Sequence, residues 1–124
     1  MDWTIIAVGG AAVVGFIALK RMSFVSEAVA CEHLRGGALV IDVRSAGEFG
    51  REHLPQAINI PLGDIAEVIP QRVKDKNQAL LLHCLSGGRS GFAKRQLKTM
   101  GYTRVFNLGS YSRAKLIVNN ARKD

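Results

Sequence analysis

The stretch ALLLH, Ala79 to His83, is an apolar run with no alternation. A strand with water on one face reads apolar and polar by turns. An unbroken apolar run suits a strand buried on both faces, as in a parallel sheet covered by helices. Three further segments read as strands. ALVIDVR, Ala38 to Arg44, starts apolar and β-branched and turns polar at Asp42 and Arg44. AINIP, Ala57 to Pro61, ends at a proline, and TRVFNL, Thr103 to Leu108, is the fourth. Helical patterns fall around and between them. SFVSEAVACEHLRGG has Ser26 as N-cap and Gly36-Gly37 as stop, and DIAEVI, Asp64 to Ile69, is ended by Pro70. SGFAKRQLKTMG, Ser90 to Gly101, and YSRAKLIVNN follow. Strands alternating with helices predict an α/β fold: a small parallel sheet of four or five strands with helices on both faces.

The first residues are of another kind. WTIIAVGGAAVVGFIAL, Trp3 to Leu19, carries no charge and is closed by Lys20 and Arg21. At a helical rise it spans roughly 25 Å, the short end for a membrane helix. Trp3 suits the interface. A cleaved signal peptide wants positive charge before the apolar run, and only Asp2 and the amino terminus precede it. The segment is read as an uncleaved anchor over residues 1–22, followed by one domain over 23–124. Lys20 and Arg21 place that domain on the cytoplasmic side. Ala7, Ala11 and Gly15 form a small-residue stripe that allows homodimer pairing in the membrane, although such residues are common in membrane helices anyway.

The net charge is +7, and every Lys and Arg lies at position 20 or later. A basic domain suits nucleic acid, an anionic membrane surface or anionic substrates. No interleaving of aromatic and basic residues appears, which argues against nucleic acid. Two cysteines, Cys31 and Cys84, do not make a disulfide framework. Cys31 sits in a predicted helix and reads as a small packing residue.

Cys84 is different. It stands at the C-terminal end of a predicted buried strand, where ligands of such sheets bind. The loop Cys84, Leu85, Ser86, Gly87, Gly88, Arg89 leads into a helix beginning near Ser90. Gly87 and Gly88 let backbone N–H groups turn inward, and the helix end adds its positive dipole. A sulfur at the centre is stabilised as a thiolate, and Arg89 is a permanent cation able to fork-bind an oxyanion. This is nucleophilic catalysis by a cysteine of lowered pKa, with no partner base required. His83, its neighbour on the strand, points to the opposite face and reads as a packed histidine. His33 and His53 lack metal-ligand spacing with Cys84, so no metal is expected.

At these residues the chain resembles the rhodanese-like sulfurtransferase family. CLSGGRS is similar to that family's active-site loop, and VIDVRSAGEF to its first core strand and the following segment. HLPQAINIP and GYTRVFNLGS resemble two further family stretches, so the likeness runs from about Val25 to Leu108. The resemblance implies that Cys84 takes a sulfane sulfur from a small sulfur-containing anion as a persulfide. It then passes that sulfur to a thiol or protein acceptor, with no cofactor. It places Asp42, Arg44 and Glu48 among polar contacts near the site, in a supporting role. Three departures stand out. Glu52 and Gln56 occupy positions where the family has glycines, so the turn there is built differently or strained. Leu85 and Ser86 bring no positive charge. Gly109-Ser110 replaces a glycine pair, with no later tryptophan.

Two other functions remain open. One is a persulfide-binding or interaction module of low turnover. The other is a phosphatase or arsenate reductase. Those related folds place five residues between cysteine and arginine, whereas Leu85, Ser86, Gly87 and Gly88 make four. The shorter loop suits one sulfur atom better than a tetrahedral oxyanion.

Overall fold

A computed structural model of the chain describes residues 24–123. The span Trp3–Leu19, its flanking cations and the small-residue stripe lie outside the described residues. Among the described residues no helix is long and apolar enough to cross a membrane.

The elements run α1 (Glu27–Arg35), β1 (Leu39–Asp42), α2 (Ala46–Arg51), β2 (Ala57–Asn59), a 3-10 turn (Leu62–Asp64), α3 (Ile65–Arg72), β3 (Leu80–His83), α4 (Gly88–Thr99), β4 (Val105–Gly109) and α5 (Tyr111–Arg122). The sheet has four strands in the order β2-β1-β3-β4, and every pairing is parallel. Ile41 stands opposite Ile58 on one side and Leu82 on the other. As the unbroken apolar run requires, all four residues of β3 are buried.

Each face of the sheet carries its own core. Ile41, Leu80 and Leu82 pack under α3 and α4 with Ile65, Ile69, Ala93 and Leu97. Val40 and Leu81 pack under α1 and α5 with Ala30, Cys31, Ile117 and Val118. Cys31 is a packing residue, its Sγ lying 3.7 Å from the Ile117 carbonyl.

The order of strands marks where a ligand site is expected. From β1 the chain moves outward to β2; it then returns across β1 to β3 and moves outward to β4. The direction reverses between β1 and β3, and such a switch point opens a cleft at the strands' C-terminal ends. Asp42 ends one of these strands and Cys84 follows the other.

One local expectation fails. Pro70 does not end α3, which continues to Arg72. The helix closes with Val73 N–H donating to the Ile69 carbonyl at 2.7 Å, and both residues are buried, so tertiary packing carries it past the proline. A further helix, α2, is one that apolar periodicity does not show. It is held by a capping box: Ser45 Oγ accepts from Glu48 N–H at 3.2 Å, and the Glu48 carboxylate accepts from Ser45 N–H at 3.1 Å. Ser45-x-x-Glu48 was a legible start signal.

Candidate active site

Cys84 leaves β3 with its N–H on the Gly109 carbonyl at 3.2 Å. Leu85 is 58% exposed at the loop's outer edge, and its carbonyl accepts from Tyr111 N–H. Ser86 bridges to Ser110 in an isolated antiparallel pair. Gly87 then turns with φ +100°, and Gly88, Arg89 and Ser90 form the first turn of α4. The helix therefore starts two residues earlier than the sequence implied, because Gly87 occupies the N-cap position in a left-handed conformation open to glycine.

The loop closes around the sulfur. Cys84 is fully buried, its Sγ accepting from Gly87 N–H at 3.0 Å, with Ser90 Oγ at 3.4 Å. Burial pushes the thiol up. Against it act the Ser90 hydroxyl and the amides of Ser90, Gly87 and Ser86, which together bring it below its ordinary value.

Arg89 has a partner that its own segment does not show. Its two Nη atoms donate to the two Glu48 carboxylate oxygens at 2.7 and 3.0 Å. The pair uses two of the guanidinium's five N–H donors, and the side chain is partly exposed. Arg89 raises its neighbour's acidity: its hydrogen bonds, then that from Ser45, hold the Glu48 carboxyl down at about 2. Glu48 thus joins α2 to α4.

Asp42 and Arg44 lie beneath it as a buried pair. Arg44 Nε is 3.0 Å from each Asp42 oxygen and Nη2 is 2.7 Å from Oδ2. Arg44 Nη2 also donates to the Glu52 carbonyl at 2.7 Å, and the guanidinium lies over the Tyr111 ring. These contacts fix the ends of β1, α2 and α5 relative to one another. His83 is buried on the opposite face from Cys84, against Tyr111, as strand alternation demands. Burial pushes its imidazole down, with the nearby Asp42 acting the other way.

The sequence departures resolve without strain. No non-glycine residue has positive φ among the described residues, and Glu52 is extended. The turn after it is held by His53 stacking on Phe49 at 3.9 Å and by buried Leu54. Ser110 caps α5, accepting from Arg113 N–H at 3.1 Å, which a second glycine there does not do.

Two participants escaped the sequence reading. Asn107 is fully buried in β4; its side chain meets Ser90 Oγ, the Gly87 carbonyl and Gly109 N–H at 2.7, 3.1 and 2.9 Å. A lone asparagine in an apolar strand was the available signal, since a buried amide demands partners. Phe24 is the other. Val25 N–H donates to the Asn107 carbonyl at 2.9 Å, and this pairing lays the Phe24 ring against Gly87 and Gly109.

A cysteine cradled by backbone amides between a parallel strand and a helix defines a rhodanese-type loop. The rhodanese-like domain family matches residues 27–115, and the chain belongs to it. Its relatives include the thiosulfate sulfurtransferase PspE of Escherichia coli K12, 46% identical over 69 residues, covering 56% of this chain and 66% of that protein. A tRNA sulfurtransferase of Thermoplasma acidophilum is 30% identical over 79 residues, covering 64% of this chain and 15% of the relative. A solved E. coli rhodanese with bound anions has a TM-score of 0.60 at 42% identity, covering 62% of this chain and 91% of that one. The chain thus spans less than two thirds of these two sulfurtransferase sequences.

Proposed function

We propose that the chain is a sulfurtransferase working through a persulfide on Cys84. The Cys84 thiolate attacks the sulfane sulfur of a thiosulfate or polysulfide donor. A bond forms between Sγ and that sulfur, the donor's S–S bond breaks, and its electron pair leaves on the departing group, which is sulfite for thiosulfate. An acceptor thiolate then attacks the outer sulfur and carries it off, and the electron pair of the broken bond returns to Cys84 as thiolate. The observation that supports this most is Gly87 N–H directed at the buried Sγ from 3.0 Å. The four-residue spacing to Arg89 speaks against a phosphatase or arsenate reductase.

One observation favours a second reading. Arg89 is tied to Glu48, and Leu85 and Ser86 are uncharged, so the loop offers little to an anionic donor tail. A protein persulfide then suits better than thiosulfate, or the domain serves as a persulfide-binding module. Residues Trp3–Leu19 fit the first reading as a membrane anchor, supported by their lack of charge and by Lys20 and Arg21 after them. A membrane-impermeant thiol probe labelling Cys84 from outside intact cells would reverse that orientation.

The test is intact-protein mass after incubation with thiosulfate, then with polysulfide, beside Cys84→Ser. A gain of one sulfur atom that needs Cys84, and its loss to an added thiol over many turnovers, is the expected result. Loading without turnover moves the reading to the binding module. No loading from any sulfane donor, in a folded protein, overturns both.

A further inference from the structure

Ser90 stands between two acceptors and has one proton to give. Its Oγ lies 2.7 Å from Asn107 Oδ1 and 3.4 Å from Cys84 Sγ. A hydroxyl donates one hydrogen bond, so it serves one of them at a time.

The rest of Asn107 decides which. Its Nδ2 meets the Gly87 carbonyl at 3.1 Å, and its Oδ1 meets Gly109 N–H at 2.9 Å. Turning the amide over would set oxygen against oxygen and donor against donor. Oδ1 is therefore the atom beside Ser90. It carries no hydrogen, so the 2.7 Å contact exists only if Ser90 donates it. The contact with Cys84 then runs the other way at rest, with the thiol S–H donating to Ser90 Oγ.

We propose that Asn107 is a positioning residue that controls the charge on Cys84 by holding the Ser90 hydroxyl proton away from the sulfur. When the thiol loses its proton to solvent, Sγ keeps Gly87 N–H but faces a lone pair on Ser90. That clash is relieved only if the hydroxyl swings from Asn107 to the sulfur, leaving Oδ1 with Gly109 N–H alone. Ionisation is thereby opposed by the Ser90–Asn107 bond. The thiol is kept nearer ambient pH than the loop amides and an untethered Ser90 hydroxyl would set it, where an attacking thiolate performs best. In a persulfide the charge moves to the outer sulfur, Sγ is neutral, and the proton returns to Asn107. This consequence rests on the sulfur-transfer reading; the proton assignment does not.

Other charges near the loop are the same with the proton in either place. They are Arg89 of α4 with Glu48 of α2, the Asp42–Arg44 pair at the end of β1, and Arg113 of α5 on the Leu108 and Val25 carbonyls. His83 of β3 lies on the other face of the sheet.

The experiment is a pH titration of thiolate ultraviolet absorbance on the full chain. The Cys84→Ser signal is subtracted so that Cys31 cancels. Deleting the hydroxyl in Ser90→Ala removes the donor that the charged sulfur recruits, so the Cys84 midpoint is expected to rise, by less than about one unit because Asn107 competes for that proton. Asn107→Ala decides, and a Cys84 midpoint that rises or stays put in it overturns the proposal. Asn107→Ala, checked for folding by circular dichroism, is expected to lower the midpoint by about one unit when Ser90 is present, and to leave it unmoved in the Ser90→Ala background. An equal shift in both backgrounds would mean Asn107 acts by packing alone. Sulfur loading is measured separately, so a protein that titrates as expected but never loads would sink the functional reading and leave the proton assignment standing.

Discussion

Replacing Gly87 by alanine perturbs the site through two separable costs. The first is backbone conformation: Gly87 has φ +100°, and holding an L-residue there costs about 1–2 kcal/mol. The second is contact. A Cβ on Gly87 would lie 2.6 Å from Phe24 Cζ, 2.8 Å from its Cε1 and 3.3 Å from the Gly109 backbone. The Phe24 ring is the movable partner, and displacing it from the loop costs about 1–2 kcal/mol more, the low end for overpacking. The sum, about 2–4 kcal/mol, is large beside a typical stability of about 5–15 kcal/mol yet leaves the chain folded. Urea unfolding of Gly87→Ala, Phe24→Ala and the double variant separates the parts. In the Phe24→Ala background the alanine should cost the backbone part alone. An unchanged penalty there would refute the contact, and a loss below about 0.5 kcal/mol in the native background would refute the conformational argument. Because Gly87 N–H is the donor nearest Sγ, the Cys84 thiol should also become less acidic in Gly87→Ala.

The Glu48–Arg89 pair predicts an acid-dependent contribution to stability. The folded carboxyl is held at about 2 against an ordinary 4.5, so its stabilisation is complete above about 4.5 and is lost as pH falls toward 2. The pair is partly exposed, so Glu48→Gln should lower stability at neutral pH by about 1 kcal/mol or less, and the deficit should vanish at the acid end of that window; urea midpoints across the range check both. Arg44→Met leaves the buried Asp42 carboxyl without its partner, and unfolding should show a loss of about 3–5 kcal/mol. Adding Asp42→Asn should recover part of it, and failure to do so would mean that Arg44 acts through its stack on Tyr111.

Much of the protein was legible before its structure. The unbroken run Ala79–His83 fixed a strand buried on both faces, and strand alternation set Cys84 and His83 on opposite sides of the sheet. The loop Cys84–Arg89 announced a sulfur held by amides, because two glycines and a helix start have few other uses at a strand end. Local chemistry sufficed for these because the interacting groups lie within a few residues of one another. Even α2 was there to be read, in Ser45-x-x-Glu48.

Other features were decided by residues distant in the chain. Pro70 yielded to the burial of Ile69 and Val73. Nothing in the segment of Arg89 shows that Glu48, 41 residues earlier, meets both its Nη atoms. Asn107 looked like an oddity in a strand until the sheet placed β4 beside β3 and carried its amide to Gly87 and Ser90. Asp42 and Cys84 stand at neighbouring strand ends only because the chain reverses direction between β1 and β3. The sequence by itself determined the place of Cys84 and its amide cradle, through short-range backbone geometry. Only the tertiary structure decided which neighbours hold its charges and protons, since a hydrogen-bonding partner is chosen by distance in space.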